Sequence, residues 1–146
     1  MRILLLNGPN LGRLGRRNVA VYGTTTLAQV VEACRTRAAE GGWELTHLQS
    51  NHEGAVIDRL EERDYDAVVI NPGAWSHYSY ALRDALEACD VAVAEVHISA
   101  VEEREAFRQT DVVADVSQFR VSGHGVPGYL EAIDWILETA DPRQTP

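Results

Sequence analysis

The sequence predicts a protein of the α/β class, built on a parallel β-sheet with helices on both faces. Five short apolar segments of strand type alternate along the chain with five segments of helical periodicity. Strands buried on both faces appear as continuous apolar runs, and the first run is Ile3–Leu6. With 146 residues and 45% hydrophobic content, the chain can bury one full core. We therefore expect a single domain over residues 1–146, with a polar, flexible tail over about 141–146.

The segments alternate in a regular order. The predicted strands are Ile3–Leu6, Glu44–Gln49, Ala67–Ile70, Val91–Val96 and a weaker one at Phe119–Val121. The predicted helices are Leu27–Glu40, Glu53–Arg63, Tyr80–Ala88, Glu102–Phe107 and Tyr129–Thr139. Capping-box spacing marks three helix starts, at Thr26, Ser50 and Ser99. This pattern favours a flavodoxin-like three-layer sandwich with strand order 2-1-3-4-5.

Composition narrows the possible functions. A formal net charge of −9 argues against nucleic acid and anionic membranes as partners, because both need a positive surface. All 13 residues counted as Lys or Arg are arginine, and a chain without lysine cannot form a side-chain Schiff base. The longest apolar run near the start, Ile3–Leu6, is too short for a signal peptide or a membrane span. We therefore expect a soluble, cytoplasmic protein.

Polar residues follow the predicted strands at the points where they end. Open parallel sheets bind ligands beyond the carboxyl ends of their strands, near the point where the strand order reverses. The first strand leads into a basic, glycine-rich loop over Asn7–Gly23, the third into Asn71–His77, and the fourth ends in Glu95–Ser99. We therefore expect the functional site at this edge of the sheet.

Two features of this edge are suited to acid and base chemistry. Glu95 and His97, two residues apart, lie on the same side of a strand. A carboxylate bound to one ring nitrogen raises the basicity of the other, which suits a general acid. Tyr22 follows three arginines, among them Arg17, and such cations stabilise a phenolate that can act as a base. Either feature alone is more often structural, so their combination is what favours catalysis.

A substrate carboxylate is expected beside these groups. Ser99 has the spacing of a helix cap, and a helix start with free N–H groups also binds anions. The amides of Ile98 and Ser99, with the Asn71 side chain opposite, form the candidate carboxylate site. Arg104 and Arg108 are four residues apart and share one face of the predicted helix.

Candidates for binding hydroxyl groups follow the third strand. His77 is predicted to begin a helix, and Asp84 lies seven residues further along the same face. A helix cap and a surface acid explain these two residues equally well.

The sequence carries no sign of a cofactor or metal. The first loop matches neither G-x-G-x-x-G nor G-x-x-x-x-G-K-[ST], so nucleotide binding is not expected. Cys34 and Cys89 stand singly, and no zinc, calcium or haem ligand spacing occurs. We therefore expect neither a cofactor nor a metal.

Six blocks of the sequence closely resemble the type II 3-dehydroquinate dehydratases. They are Ile3–Arg17, Val21–Thr26, Gln49–Gly54, Ile70–Ala74, Ala81–Ala85 and Glu95–Ser99. They occur in the family's order and, with a glycine-rich turn at Gly125–Tyr129, cover nearly the whole chain. The resemblance implies a flavodoxin-like catalytic domain that assembles as a homo-oligomer, a dodecamer built from trimers. It also implies reversible anti elimination of water from 3-dehydroquinate, giving 3-dehydroshikimate through an enolate, in the shikimate pathway or in quinate breakdown.

The resemblance assigns roles by position. Tyr22 resembles the base that takes the C2 proton, and Arg17, on a mobile lid, resembles the cation that lowers its pKa. His97, oriented by Glu95, resembles the acid that protonates the departing C1 hydroxyl. Asn10 resembles the residue that holds a water against the enolate oxygen.

The remaining matches are to substrate-binding positions. Those of the carboxylate site are Asn71, Ile98 and Ser99, flanked by Gly73, Ala74 and Arg104. Those that bind hydroxyls are His77, Arg108 and, across a subunit boundary, Asp84.

The chain departs from the family pattern at three places, and two other functions stay open. Asn18-Val19 replaces Glu-Pro in the lid, Ala100 replaces Asn, and Trp75 and Tyr78 replace smaller residues. These departures affect efficiency more than reaction type.

The alternative functions are a non-catalytic flavodoxin-like binding module and a paralogue that binds ligand without turnover. Against the first alternative, the sequence has neither the phosphate loop of a flavin carrier nor the aspartate of a phospho-receiver.

Overall fold

A five-stranded parallel sheet in the order β2-β1-β3-β4-β5 forms the centre of the molecule, which confirms the predicted fold. The computed structural model describes residues 1–16 and 19–140, with only the backbone described at residues 21 and 22. The strands are β1 (Arg2–Asn7), β2 (Glu44–Gln49), β3 (Ala67–Asn71), β4 (Ala92–His97) and β5 (Phe119–Ser122).

Helices connect the strands. They are α1 (Val19–Tyr22), α2 (Leu27–Glu40), α3 (Glu53–Glu61), α4 (Tyr80–Glu87) and α5 (Pro127–Thr139). Short 3₁₀ turns span Leu11–Arg13, Gly73–His77, Val101–Glu103, Ala106–Gln109 and Ala114–Val116. Within the described ranges, every helix is too short or too polar to cross a bilayer.

The helices cover both faces of the sheet. Helices α2 and α5 pack on the face that carries Ile3 and Leu5, whereas α3 and α4 pack on the face that carries Leu4 and Leu6. These four β1 side chains are fully buried, because β1 is central and both of its faces are covered. Burial of each such leucine or isoleucine stabilises the fold by about 1.5–3 kcal/mol.

The strand register brings the predicted site residues to one edge. Asn7, the last residue of β1, is paired with Asn71, the last residue of β3. Strand β4 runs two residues beyond the level of Ile70, which is paired with Glu95, so His97 lies further out toward the edge. The amide of Gly8 donates to the Asn71 carbonyl at 2.8 Å, which joins the loops that follow β1 and β3.

The first predicted capping box is confirmed and the other two are wrong. The Thr26 hydroxyl accepts from the Gln29 amide, and the Gln29 side chain accepts from the Thr26 amide. In contrast, α3 begins after His52, whose amide donates to the Ser50 hydroxyl. Likewise, Ser99 caps no helix, because Ala100 precedes the turn that follows β4.

The predicted helix over Glu102–Phe107 is also wrong, since two 3₁₀ turns occupy this segment. The backbone at Arg104 leaves the helical region, with φ −97° and ψ −153°. The Glu102 carboxylate accepts from the Ser122 hydroxyl at 3.0 Å and pairs with Arg120 at 2.8 Å, so β5 holds the first turn. These long-range bonds outweigh the local helical preference of the segment.

Candidate active site

A pocket of about 120 Å³ opens at the carboxyl edge of the sheet. Its walls come from the loop after β1, the ends of β3 and β4, and the turns that follow those two strands. The predicted site residues that line it are Asn10, Asn71, Gly73, Ala74, His77, His97, Ile98, Ser99, Arg104 and Arg108. The fold therefore brings together ten side chains or backbone segments that the sequence places in three separate regions.

Four predicted site residues are not among the described walls of this pocket. Glu95 lies behind His97 and is fully buried. Asp84 lies on α4 with its side chain 73% exposed, 3.3 Å from Arg83. Arg17 and the Tyr22 side chain lie outside the described residues; the backbone of Tyr22 ends α1.

The loop after β1 forms one wall because two backbone positions are constrained. Asn10 has φ 68°, a left-handed conformation that asparagine tolerates better than most residues, and its amide donates to Asn51 Oδ1 at 2.9 Å. At Gly8, an added Cβ would lie 2.6 Å from the Pro72 carbonyl oxygen. Only glycine allows the loops after β1 and β3 to approach this closely.

His77 lies at the end of the 3₁₀ turn Gly73–His77 and does not begin a helix, because α4 starts after Ser79. His77 Nδ1 donates to the Thr110 carbonyl at 2.8 Å, so Nε2 is the ring nitrogen that can bind a ligand. The Phe107 ring packs edge-on against the His77 imidazole, and the Arg108 guanidinium lies 4.7 Å from the centre of the Phe107 ring. Phe107 thus fixes both polar groups of this wall.

Arg104 and Arg108 both line the pocket, although they do not share a helix face. Arg104 stands at the break between the two 3₁₀ turns, and its Nη1 lies 3.5 Å from the Ser99 hydroxyl. The Ile98 carbonyl accepts from the Gly125 amide at 3.0 Å, and the Ser99 carbonyl from the Ser122 hydroxyl at 3.2 Å. This wall is therefore polar, cationic and held by β5 and the turn that follows it.

Glu95 and His97 form a buried pair at the end of β4. His97 Nε2 lies 2.5 Å from Glu95 Oε1, and the two residues are 3% and 0% exposed. Burial raises the pKa of the Glu95 carboxyl to about 7. Since Nε2 faces the carboxylate, Nδ1 is the nitrogen of the ring that can exchange a proton with a ligand. The predicted pairing of these two residues is thus found in the structure.

Asp111 and Arg120 extend this pair, and the sequence analysis missed both. Asp111 Oδ2 lies 3.5 Å from His97 Nε2, and Arg120 Nε donates to the same oxygen at 2.9 Å. Glu95 Oε2, 3.9 Å from Arg120 Nε, has no hydrogen-bond partner among the described residues. Ligand atoms of Glu95, His97 and Asp111 lie within 4.8 Å of one another, but Asp111 Oδ2 already accepts from Arg120, whose positive charge would repel a cation. We therefore assign no metal to them.

A second buried network was also missed. The Tyr129 hydroxyl donates to Asn7 Oδ1 at 2.6 Å and accepts from Asn71 Nδ2 at 2.8 Å. Asn71 Oδ1 accepts from the Gly73 amide at 3.1 Å, and Asn7 Nδ2 lies 3.1 Å from His47 Nε2. This network orients the Asn71 amide at the pocket wall. The only sequence signal was that Tyr129 closes the glycine-rich turn after β5.

The fold and the site together define a flavodoxin-like α/β protein with a polar, arginine-lined pocket at the carboxyl edge of its sheet. The model of the family described as dehydroquinase class II matches residues 1–137, and the chain belongs to this family.

Individual relatives agree with this assignment. The chain is 46% identical over 140 residues to a 3-dehydroquinate dehydratase of Herpetosiphon aurantiacus, covering 94% of this chain and 97% of the relative. It is 47% identical over 136 residues to a 3-dehydroquinate dehydratase of Thermotoga maritima, with 93% and 94% covered. A crystal structure of the type II dehydroquinase of Butyrivibrio crossotus matches with a TM-score of 0.90 and 44% identity, covering 93% of this chain and 97% of that one.

Proposed function

We propose that the chain catalyses the reversible conversion of 3-dehydroquinate to 3-dehydroshikimate by anti elimination through an enolate. Membership of the class II dehydroquinases makes it an enzyme, a 3-dehydroquinate dehydratase and hence a hydro-lyase. The observation that carries the mechanism is the His97–Glu95 pair, whose Nε2 to Oε1 distance is 2.5 Å, at the wall of the cationic pocket. A buried imidazole fixed by a carboxylate is suited to donate a proton there.

In the proposed mechanism His97 is the acid. The imidazolium donates its Nδ1 proton to the C1 hydroxyl as the C1–O bond breaks, and water leaves. The ring is then neutral and keeps its Nε2 proton, which is hydrogen-bonded to Glu95. Burial of both side chains supports this role, because a dry environment strengthens the pair and limits the orientations of the ring.

Tyr22 is the proposed base. Its phenolate takes the C2 proton and leaves an enolate, and Arg17 stabilises the phenolate through its positive charge. Asn10 holds a water against the enolate oxygen, which favours the transition state over the bound substrate. The support for Tyr22 and Arg17 is their match to the family pattern, and the support for Asn10 also includes its place in the pocket wall.

The pocket wall supports the proposed substrate contacts. Asn71 and the backbone of Ile98 and Ser99 bind the substrate carboxylate, with Gly73 and Ala74 beside them and the charge of Arg104 in the same wall. His77, through Nε2, and Arg108 bind the ring hydroxyls. No lysine is present in the sequence, which agrees with a route that needs no imine.

Asp84 acts, in this proposal, on the pocket of a neighbouring copy. Its exposed carboxylate on α4 is available to a second subunit. We propose a homo-oligomer, a dodecamer built from trimers, whose subunits are single catalytic domains that work in the cytoplasm. The molar mass of the purified protein in solution tests this assembly, and a monomer with full activity would contradict it.

The appearance of the conjugated enone in the ultraviolet tests the reaction itself. We expect turnover of 3-dehydroquinate by the wild type and a loss of several orders of magnitude in kcat for Tyr22→Phe. Tyr80→Phe, an exposed tyrosine on α4, is the matched control and should keep full activity. Undiminished turnover in Tyr22→Phe would remove the base from the mechanism, and substrate binding without turnover in the wild type would favour a non-catalytic paralogue.

Two further readouts test the chemistry. Substrate with deuterium at C2 on the face opposite the C1 hydroxyl should lose the label, whereas label on the same face should stay in the product. Borohydride should trap no covalent adduct, because no imine forms. Loss of label from the hydroxyl's own face, or a trapped adduct, would contradict the proposed route.

A further inference from the structure

We propose that Asp111 is a positioning residue for the reaction: its fixed negative charge, held beside the ring, keeps His97 in the protonated form that donates the proton. This inference rests on the proposed function, since it assumes that His97 is the acid. It adds a second carboxylate, on the segment before β5, to the single partner that the sequence assigns to His97.

Glu95 and Asp111 interact with the His97 ring in different ways. His97 Nε2 lies 2.5 Å from Glu95 Oε1 and 3.5 Å from Asp111 Oδ2. A single N–H group makes its strong hydrogen bond to the nearer oxygen, so Asp111 acts on the ring mainly through its charge. The Asp111 side chain is only 10% exposed, and solvent therefore screens this charge weakly.

Both oxygens of Asp111 are held in place. Oδ1 accepts from the amides of Val113 at 3.0 Å and Ala114 at 3.1 Å, and Oδ2 accepts from Arg120 Nε at 2.9 Å. Arg120 is itself anchored by its ion pair with Glu102 at 2.8 Å. The carboxylate is therefore a fixed charge beside His97, with little freedom to turn away.

Glu95 alone is a weaker counter-charge than Asp111. Burial raises the pKa of the Glu95 carboxyl, and its Oε2 has no hydrogen-bond partner among the described residues. Burial opposes ionisation of Asp111 too, but its interactions with His97 and Arg120 hold its pKa below the ordinary value. Three N–H groups donate to the two oxygens of Asp111, so its carboxylate is the better stabilised of the two.

The charges around His97 have opposite effects on it. Burial lowers the pKa of the His97 ring, but its interactions with Asp111 and Glu95 outweigh this effect, and the pKa of the ring is raised. Arg120 on the sheet side works against them, as do Arg104, Arg108 and any charge on His77 across the pocket. Without Asp111, these cations would face a histidine whose one remaining counter-charge is the fully buried Glu95 carboxyl.

The variant Asp111→Asn tests the negative charge of Asp111 while the backbone bonds that hold this residue are kept. Asparagine keeps the Oδ1 acceptor that binds the Val113 and Ala114 amides, and it removes the negative charge together with the Oδ2 acceptor of Arg120 Nε. Asp115→Asn, an exposed acid in the turn Ala114–Val116, is the matched control. Arg120→Gln removes a cation while the Val113 and Ala114 amides still hold the Asp111 carboxylate, so its effect on His97 should have the opposite sign.

The test measures the pKa of His97 directly and the rate separately. NMR of protein labelled with ¹³C at histidine Cε1, with His97→Ala for assignment, should show the His97 pKa falling by about 1–3 units in Asp111→Asn. The alkaline limb of kcat/KM for 3-dehydroquinate should move down with it, because the protonated ring is lost at lower pH. We expect Asp115→Asn to leave both unchanged and Arg120→Gln to raise both.

The possible outcomes distinguish the role of Asp111 from the role of His97 as the acid. An unchanged His97 pKa in Asp111→Asn overturns the role of Asp111, whatever happens to the rate. A lowered His97 pKa with an unmoved alkaline limb supports the role of Asp111 and contradicts His97 as the acid. Should Asp111→Asn fail to fold, Arg120→Gln decides the question: an upward shift supports the proposal, and no shift or a downward one refutes it.

Discussion

The Tyr129 hydroxyl joins the two central strands to the pocket, and its removal should weaken both stability and substrate binding. The hydroxyl lies 2.6 Å from Asn7 Oδ1 and 2.8 Å from Asn71 Nδ2. All three residues are at most 3% exposed, so water cannot replace the lost bonds easily. In Tyr129→Phe, one acceptor and one donor therefore stay buried without their partner.

The expected loss of stability follows from the two polar atoms left without a partner, Asn7 Oδ1 and Asn71 Nδ2. Each buried polar group left without a partner costs about 1–3 kcal/mol, so we expect Tyr129→Phe to lower the free energy of unfolding by about 2–6 kcal/mol. Asn71 keeps its bond from the Gly73 amide but loses the one that fixes its Nδ2. Because Nδ2 would bind the substrate carboxylate in the ground state and the transition state alike, KM should rise several-fold while kcat changes little.

Tyr65→Phe is the matched control for this experiment. Tyr65 is also buried, and its hydroxyl donates to the Leu60 carbonyl at 2.5 Å, but it belongs to the core under α3 and α4. Urea unfolding at one protein concentration should show both variants destabilised, and steady-state kinetics should show a raised KM only in Tyr129→Phe. Wild-type stability in Tyr129→Phe, or equal KM values in the two variants, would refute this role of the network.

Two further variants test how the backbone positions the site. Gly8→Ala should lose about 2 kcal/mol or more of stability and most activity, since its Cβ would meet the Pro72 carbonyl at 2.6 Å. Gly54→Ala, where nothing lies within 4 Å, should instead be neutral or stabilising by about 0.4–1 kcal/mol, and equal urea midpoints for the two would contradict the close approach. Thr26→Ala should cost about 1 kcal/mol through loss of the α2 capping box, with unchanged turnover; an unchanged unfolding midpoint would count against the cap.

The fold could be predicted where local signals agreed with the long-range packing. The bounds of β2 and α2 match the structure because a capping box at Thr26 starts the helix and two glycines follow its end at Glu40. The strand order followed from the alternation of five apolar runs with helices, which leaves few parallel topologies. The edge that holds the site followed from the same rule, since parallel strands bring their carboxyl ends together.

The errors lie where distant contacts decide the local structure. The segment after β4 has a helical pattern, but Glu102 is bound to Ser122 and Arg120 of β5, and the helix is replaced by two turns. Ser99, with cap spacing, therefore has no helix to cap. Arg104 and Arg108 nevertheless line the same pocket, although not through the shared helix face that the sequence predicted.

The missed residues share a physical cause. Tyr129 contacts Asn7 across 122 positions of the chain, and no local sequence pattern predicts such a contact. Asp111 and Arg120 stand nine residues apart, on a turn and a strand whose side chains meet only after β5 pairs with β4. Sequence reasoning finds pairs such as Glu95 and His97 because one strand carries both of them.

The kcat of His97→Ala, followed by formation of the enone in the ultraviolet, tests the central claim most directly. We expect a loss of several orders of magnitude in kcat, because the ring is the proposed proton donor. The thermal unfolding midpoint should fall, since the buried Glu95 carboxyl loses its hydrogen-bond partner, so turnover is compared at a temperature at which the variant is folded. His124→Ala, which removes a surface histidine 2.9 Å from Glu131, should keep wild-type turnover. Turnover by His97→Ala equal to that of His124→Ala would show that the buried histidine is not the acid of this enzyme.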